Sequence, residues 1–242
     1  MKQPTKEYAQ EIFHLLKKHY PKAKMVLEWT NNFELLVAII LSAQCTDKKV
    51  NEVTASLFPK YKHERFEFES QYNKFSRIVN QSKNSEISKD EVIELVNFAN
   101  VPLEELEQDI KSTGFYHNKA KSVQGAASTV LEKFHGILPR SIKEMTTIPG
   151  VGRKTANVFL GNAYGIYEGI AVDTHVAKQA QALGLTTNTT PEKIEQDLMQ
   201  LFPQDEWFPL TYLLIEYGRN KRRKASDRVI CDDKNCILCN TK

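Results

Sequence analysis

Ile148-Pro149-Gly150-Val151-Gly152-Arg153-Lys154-Thr155-Ala156 decides how the rest of the chain reads. It lies between two stretches with helical signals. Upstream, Ser141 with Glu144 forms a capping box that opens a short helix. Downstream, helical spacing continues through Leu160. Gly150 and Gly152 allow the positive φ of a tight turn and leave backbone N–H groups uncovered. Those groups fall at the N-terminus of the following helix, a place that binds phosphate without reading base identity. Arg153 and Lys154 add positive charge there. The same spacing also fits an ordinary helix–turn–helix connection with solvated charges. Lys154 is the sharper question. It sits in the first helical turn, where the helix dipole and Arg153 both disfavour a second positive charge and so favour the neutral amine. A lysine in that setting can act as a nucleophile and form a Schiff base. The alternative is a solvated surface lysine.

Some twenty residues on stands Ala171-Val172-Asp173-Thr174-His175. Asp173 follows an apolar run and precedes a helical pattern, so it reads as an N-cap. A capping carboxylate can also face a nearby amine. Outward from these two motifs the pattern stays helical. Thr5 opens a helix carrying Tyr8, Ile12, Leu15 and Leu16, and Pro21 closes it. Residues 33–41 are apolar nearly all round, as in a helix buried at a domain centre. Thr46-Asp47 starts a helix with Val50, Val53 and Leu57, ending at Pro59. Ser88 and Glu91 form a capping box before Val92, Ile93 and Val96. Pro102 precedes Leu103, Leu106 and Ile110. A helix runs from Gly114 to about Phe134, and Gly136 stops it. Thr190-Pro191 opens a helix with Ile194, Leu198 and Leu201. Trp207, Leu210, Leu213, Leu214 and Tyr217 mark the last long helix, with Gly218 as its end. No run of alternating residues argues for a sheet.

Composition narrows the function classes. At 242 residues, 41% hydrophobic and 26% charged, the chain buries a substantial core and is neither collagenous, coiled-coil nor disordered. A net charge of +3 permits nucleic-acid binding without arguing for it. The run at 33–41 is too short to span a bilayer, which needs about 20 residues. The N-terminus has no signal-peptide core, so we expect a cytoplasmic chain. Four cysteines are no disulfide scaffold, but Cys231, Cys236 and Cys239 crowd the last dozen residues.

With these residues in view, IPGVGRKTANV followed by IAVDTHV resembles the helix-hairpin-helix DNA glycosylases, and among them the endonuclease III family. LLVAIILSAQCTDKKVN (35–51) and STGFYHNKAKSV (112–123) are similar to two further motifs of that family. The resemblance covers roughly 30–60 and 105–220. It implies an all-α, two-lobed helix-hairpin-helix DNA glycosylase fold. A helical barrel would span 22–166, with an insert at about 64–100. Residues 1–21 and 167–242 would form the second lobe, with DNA bound between the two. Carried over residue by residue, Lys154 would be the nucleophile and Asp173 its acidic partner. Gln44 would fill the gap left by a flipped base, and Phe115 would wedge the duplex. From the residues alone Phe115 equally reads as a core aromatic. Gly150, Gly152 and Arg153 would hold the phosphate backbone. The implied activity is a bifunctional DNA glycosylase and abasic-site lyase, acting as a monomer on double-stranded DNA with a damaged base, most often an oxidised pyrimidine. Rivals are a glycosylase without lyase activity and a non-catalytic binding module.

Two regions depart from the family. Many members hold a [4Fe–4S] cluster with four cysteines, the first of them four residues after the Gly of a Gly-Arg pair. Here Gly218-Arg219 leads to Arg222 at that position. Cys236 and Cys239 match the middle pair, and Cys231 lies near a first-ligand place but at the wrong spacing. The position of a fourth ligand would lie beyond Lys242. A cluster, another metal and three plain thiols all stay open. Arg222 and Arg223, within the run 221–224, form the densest basic patch, which suits phosphate contact or simple solvation. The insert at 64–100 carries Phe66, Phe68, Tyr72 and Phe75, and its role is not legible.

Overall fold

The computed structural model describes residues 4–63, 87–222 and 238. Among them every regular element is a helix: α1 Lys6–His19, α2 Asn32–Leu41, α3 Asp47–Tyr61, α4 Lys89–Asn100, α5 Leu103–Ile110, α6 Tyr116–Phe134, α7 Ile142–Met145, α8 Arg153–Tyr164, α9 Thr174–Ala182, α10 Pro191–Leu201 and α11 Gln204–Arg222. A 3₁₀ turn, Lys111–Thr113, joins α5 to α6. None of these helices is long and apolar enough to cross a membrane. The chain divides into two compact units. One is Val26–Tyr164; the other combines Met1–Met25 with Gly165–Lys242.

Within Val26–Tyr164, α2 is the central element. Every residue from Phe33 to Leu41 is buried, Glu34 included, and the helix packs against α3, α6 and α8. Each fully buried Leu or Ile stabilises the unit by about 1.5–3 kcal/mol. Asn31 caps α2 by accepting from Glu34 N at 2.9 Å. Alongside α6 lies α4, which buries Val92, Ile93, Leu95, Val96 and Phe98. The Ser88–Glu91 capping box that opens α4 is complete in both directions. The helix Lys89–Asn100, within the stretch 64–100 that the sequence marks as an insert, therefore contributes to the core. The aromatic residues at 66, 68, 72 and 75 lie outside the described residues. Phe98 stacks on Tyr61 at 4.2 Å between ring centres, and Asn97 Nδ2 donates to the carbonyls of Tyr61 and His63 at the end of α3. Pro59 does not end α3. It sits in the last turn, where burial of Phe58 and Tyr61 holds the helix despite the missing N–H.

The same core contains two buried carboxyl groups. Glu34 pairs with Lys62 at 2.7 Å and accepts from Thr30. Glu94 accepts from Asn31 Nδ2 at 2.6 Å, while its other oxygen is buried without a hydrogen-bond partner. Burial pushes the Glu94 carboxyl up to about 7, with the Glu34 charge adding to the rise; Asn31 and Lys62 oppose it.

In the other unit, α1 lays Ala9, Ile12, Phe13 and Leu16 against α11, and α9 and α10 complete the core around Leu210, Leu213, Leu214 and Tyr217. Thr5 caps α1 through Tyr8 N, as its position predicts. Gly218 does not end the last helix, which continues to Arg222. A Cβ at Gly218 would meet the side chain of Gln179 at 3.0 Å, so the glycine serves close approach between α11 and α9.

The 148–156 turn is seated on α6. Gly150 has φ +78°, and a Cβ there would meet Ser122 Cβ at 2.6 Å. Pro149 in turn packs over Gly125, where an added Cβ would come within 3.1 Å of the ring.

Two outcomes follow from this packing. Gly150→Ala combines a strained φ with a clash against helix α6 and is expected to destabilise the chain by about 1–3 kcal/mol in denaturant titration. Glu94 has a raised pKa in the folded chain, so its contribution is most favourable below pH 4.5 and is lost as pH rises through about 7. That loss is on the order of 3 kcal/mol. Glu94→Gln keeps an acceptor for Asn31 but cannot ionise. Thermal melts should show it gaining on the wild type at pH 8 relative to pH 5; an unchanged gap would contradict the assignment.

Candidate functional site

The hairpin is built from alternating anchors and exposed groups. Ile148 and Val151 are buried and hold the turn to the core. Gly150, Gly152, Arg153 and Lys154 are exposed. Val151 N donates to the Ile148 carbonyl at 3.1 Å, and Ala156 N to the Gly152 carbonyl at 2.9 Å, which starts α8. The first N–H groups of a helix have no partner within it. Arg153 and Lys154 are the first two residues of α8. The arrangement suits an anion at the helix N-terminus and presents an amine to solvent.

Asp173 caps α9. Its Oδ1 accepts from His175 N and Val176 N, both at 2.8 Å. The preceding Ile170, Ala171 and Val172 are buried, and Ile170 N donates to Glu195 Oε1 at 3.2 Å. The carboxylate is therefore held by its own helix end and is half-buried. Lys154 belongs to the Val26–Tyr164 unit and Asp173 to the other.

Gln44 and Phe115 share an unusual backbone. Their φ values are 52° and 49°, and both are exposed. Residues with side chains rarely adopt this region outside turns and functional sites. Phe115 is 65% exposed, which removes the reading of it as a core aromatic. The turn before α3 is continued by Thr46, whose hydroxyl accepts from Lys49 N. Gln44, Phe115, Gly150, Gly152, Arg153 and Lys154 all belong to one unit.

Arg222 closes α11, but its side chain, Arg223 and the three C-terminal cysteines lie outside the described residues. Among the described residues no group of three or more His, Cys, Asp or Glu could hold a metal ion. Cys231, Cys236 and Cys239 supply three thiols, and Arg222 stands at the first family position. This donor set does not match the four thiolates a [4Fe–4S] cluster normally takes, and no step below is routed through one.

Lys119 is not among the site residues predicted from sequence. Its side chain is 5% exposed, and Nζ donates to the carbonyls of Leu41 and Thr113, both at 2.8 Å. A signal existed: Lys119 occupies the first position of the buried stripe Ala120, Val123, Ala126, Ala127, Val130 and Leu131. A lysine in phase with a core stripe is a buried lysine or an error of phase. Glu34 was likewise visible inside an apolar run, whereas Glu94 had no mark in sequence.

Comparison with known proteins agrees with this geometry. Residues 37–204 match the pattern described as HhH-GPD superfamily base excision DNA repair protein. The chain is 42% identical to endonuclease III of Synechocystis sp. over 214 residues, covering 88% of this chain and 84% of that protein. It is 38% identical to endonuclease III of Bacillus subtilis, covering 86% and 81%. A solved structure of a trapped endonuclease III–DNA covalent intermediate superposes with a TM-score of 0.75 at 36% identity, covering 93% of this chain and 91% of the other. Both the exposed lysine after the glycine turn and the helical frame that carries it lie within these matches. The chain thus belongs to the endonuclease III family of the HhH-GPD superfamily of base excision DNA repair proteins.

Proposed function

We propose that this chain is a bifunctional DNA N-glycosylase and abasic-site lyase of base excision repair. The observation that carries the proposal is Lys154, an exposed amine in the first turn of α8 directly after the glycine hairpin, in a chain of this family. The substrate is double-stranded DNA with a damaged base, an oxidised pyrimidine above all, or an abasic site. Base excision needs the nucleotide out of the stack. Lys154 Nζ then attacks C1′ and the glycosidic bond breaks, the base leaving with the bonding electrons and taking up a proton. The ring opens to a Schiff base on Lys154. That iminium makes the 2′ proton acidic. Its removal expels the 3′ phosphate by β-elimination, and water releases the lysine. Asp173 stabilises positive charge on the sugar and assists the proton transfers. Its capping bonds to two N–H groups keep one oxygen acceptor-occupied and the carboxylate oriented.

Gly150, Gly152 and Arg153 hold phosphate through backbone N–H groups and charge. Gln44 fills the vacated gap, and the exposed ring of Phe115 enters the base stack. Arg222 and Arg223 add charge against the phosphate backbone. In this reading the enzyme has a barrel of 22–166 and a lobe of 1–21 with 167–242, a division that the two compact units, with bounds a few residues away, support. The enzyme would work as a monomer on chromosomal DNA, cytoplasmic and nucleoid-associated. The three C-terminal cysteines would be the ligands of any metal or cluster.

Borohydride trapping tests the mechanism, on one duplex with thymine glycol and one with a plain abasic site. Wild type should form a covalent adduct on both, and Lys154→Ala on neither. Base release surviving in Lys154→Ala would instead mark a glycosylase without lyase activity. Binding without turnover, unaffected by Asp173→Asn, would mark a binding module. For the basic patch, charge reversal at Arg222 and Arg223 should make the dependence of log affinity on log salt shallower by about 2, because each phosphate that a cation neutralises adds about 0.9 to the slope.

A further inference from the structure

Two exposed side chains with left-handed backbones, Gln44 and Phe115, stand on segments far apart in sequence. Each lies within three residues of a carbonyl bound by the same ammonium, that of Lys119. We propose that Lys119 is a positioning residue, whose buried amine clasps the ends of both segments and holds Gln44 and Phe115 in fixed relation. The proposal rests on the reading of these two as the gap-filling and wedging residues.

The geometry makes the clasp specific. Leu41 is the last residue of α2, so its carbonyl lies at the negative end of that helix. A carbonyl there has no partner within the helix. The turn beyond it is tight: Ser42 N donates to the Ala38 carbonyl and Cys45 N to the Ser42 carbonyl, at 3.0 and 3.1 Å. Gln44 therefore has little slack relative to Leu41. On the other side, Thr113 is buried and its hydroxyl donates to the Ile110 carbonyl at 2.8 Å. Only Gly114, at φ +71°, separates it from Phe115. Lys119 itself rises from the first turn of α6, whose Lys119 N donates to the Phe115 carbonyl at 3.2 Å. One residue thus grips the Phe115 turn by main chain and side chain together, and the α2 end by side chain alone.

The arrangement is costly to build. A buried ammonium near a helix N-terminus is disfavoured by desolvation and by the dipole. Burial lowers the pKa of Lys119, with Cys45 opposing the shift. Among the described residues its hydrogen-bond partners are two carbonyls and no carboxylate. An apolar side chain would fill the same space without that cost, but it would leave both carbonyls unsatisfied and the two segments unlinked. A wedge and a gap filler are useful only at a set separation, because they enter the same stack. The clasp supplies that separation.

The test compares Lys119→Met with wild type, and with Gln44→Ala and Phe115→Ala. Hydrogen exchange read by mass spectrometry should rise about tenfold in the 42–46 and 113–116 segments together, about one hydrogen bond's worth of local stability, with the hairpin unchanged. Base excision from a thymine glycol duplex should fall by roughly ten- to a hundredfold, as a displaced wedge would make it. Lyase cleavage of a single-stranded abasic oligonucleotide, which needs no wedge, should stay within about threefold. Lys119→Gln, which keeps a neutral donor group on a shorter side chain, should fall between, and it serves if Lys119→Met does not fold. Exchange unchanged in either segment, or equal losses on duplex and single strand, overturns the proposal. If the exchange result holds but Gln44→Ala and Phe115→Ala both leave duplex excision intact, the wedge reading fails and the clasp stands as a feature of the loops alone.

Discussion

The close approach of the glycine hairpin to helix α6 is the constraint on which this edge of the Val26–Tyr164 unit depends. Gly150 meets Ser122 with no room for a Cβ, and Pro149 lies over Gly125. One face of α6 thus places the hairpin through Ser122 and Gly125, and the segments before α3 and α6 through Lys119. The first contact is steric and works by absence of atoms. The second is polar and works by satisfying carbonyls that helix ends leave open. Both require α6 itself to be immobile, which its burial against α4, α5 and α2 provides.

The amine of Lys154 illustrates a division of labour. Its neighbours in sequence, Ile148 and Val151, are buried and carry the turn, while Gly152, Arg153 and Lys154 remain exposed. Apolar anchors beneath the exposed lysine hold the turn without covering it. Asp173 is held by a different means, two N–H groups at the head of its own helix. The helix end fixes this carboxylate through one of its oxygens.

Residues of the candidate site were legible where local chemistry leaves a mark. Asp173 as a cap, the glycine turn and the Ser88–Glu91 box are all decided by groups within four residues of each other, and the structure has each as read, except that of the two turn glycines only Gly150 takes a positive φ. Misreadings fall where a distant neighbour overrides a local signal. Gly218 looks like a helix stop until Gln179 is seen to need its missing Cβ, and Pro59 looks like one until Phe58 and Tyr61 are seen to be buried. Phe115 could not be placed, because an aromatic beside a glycine carries no local record of whether a core waits for it.

By itself, then, the sequence determined the helical class, most helix boundaries, the capping residues and the motif that carries the amine, since capping, periodicity and glycine turns act over a few residues. Only the tertiary structure decided that α4 is core, that Glu94 is buried beside Glu34, that Phe115 is exposed, and that Lys119 joins Leu41 to Thr113. The reason is reach. Lys119 and Leu41 are 78 positions apart, and the hydrogen bond between them depends on the packing of whole helices, which no local pattern of residues encodes.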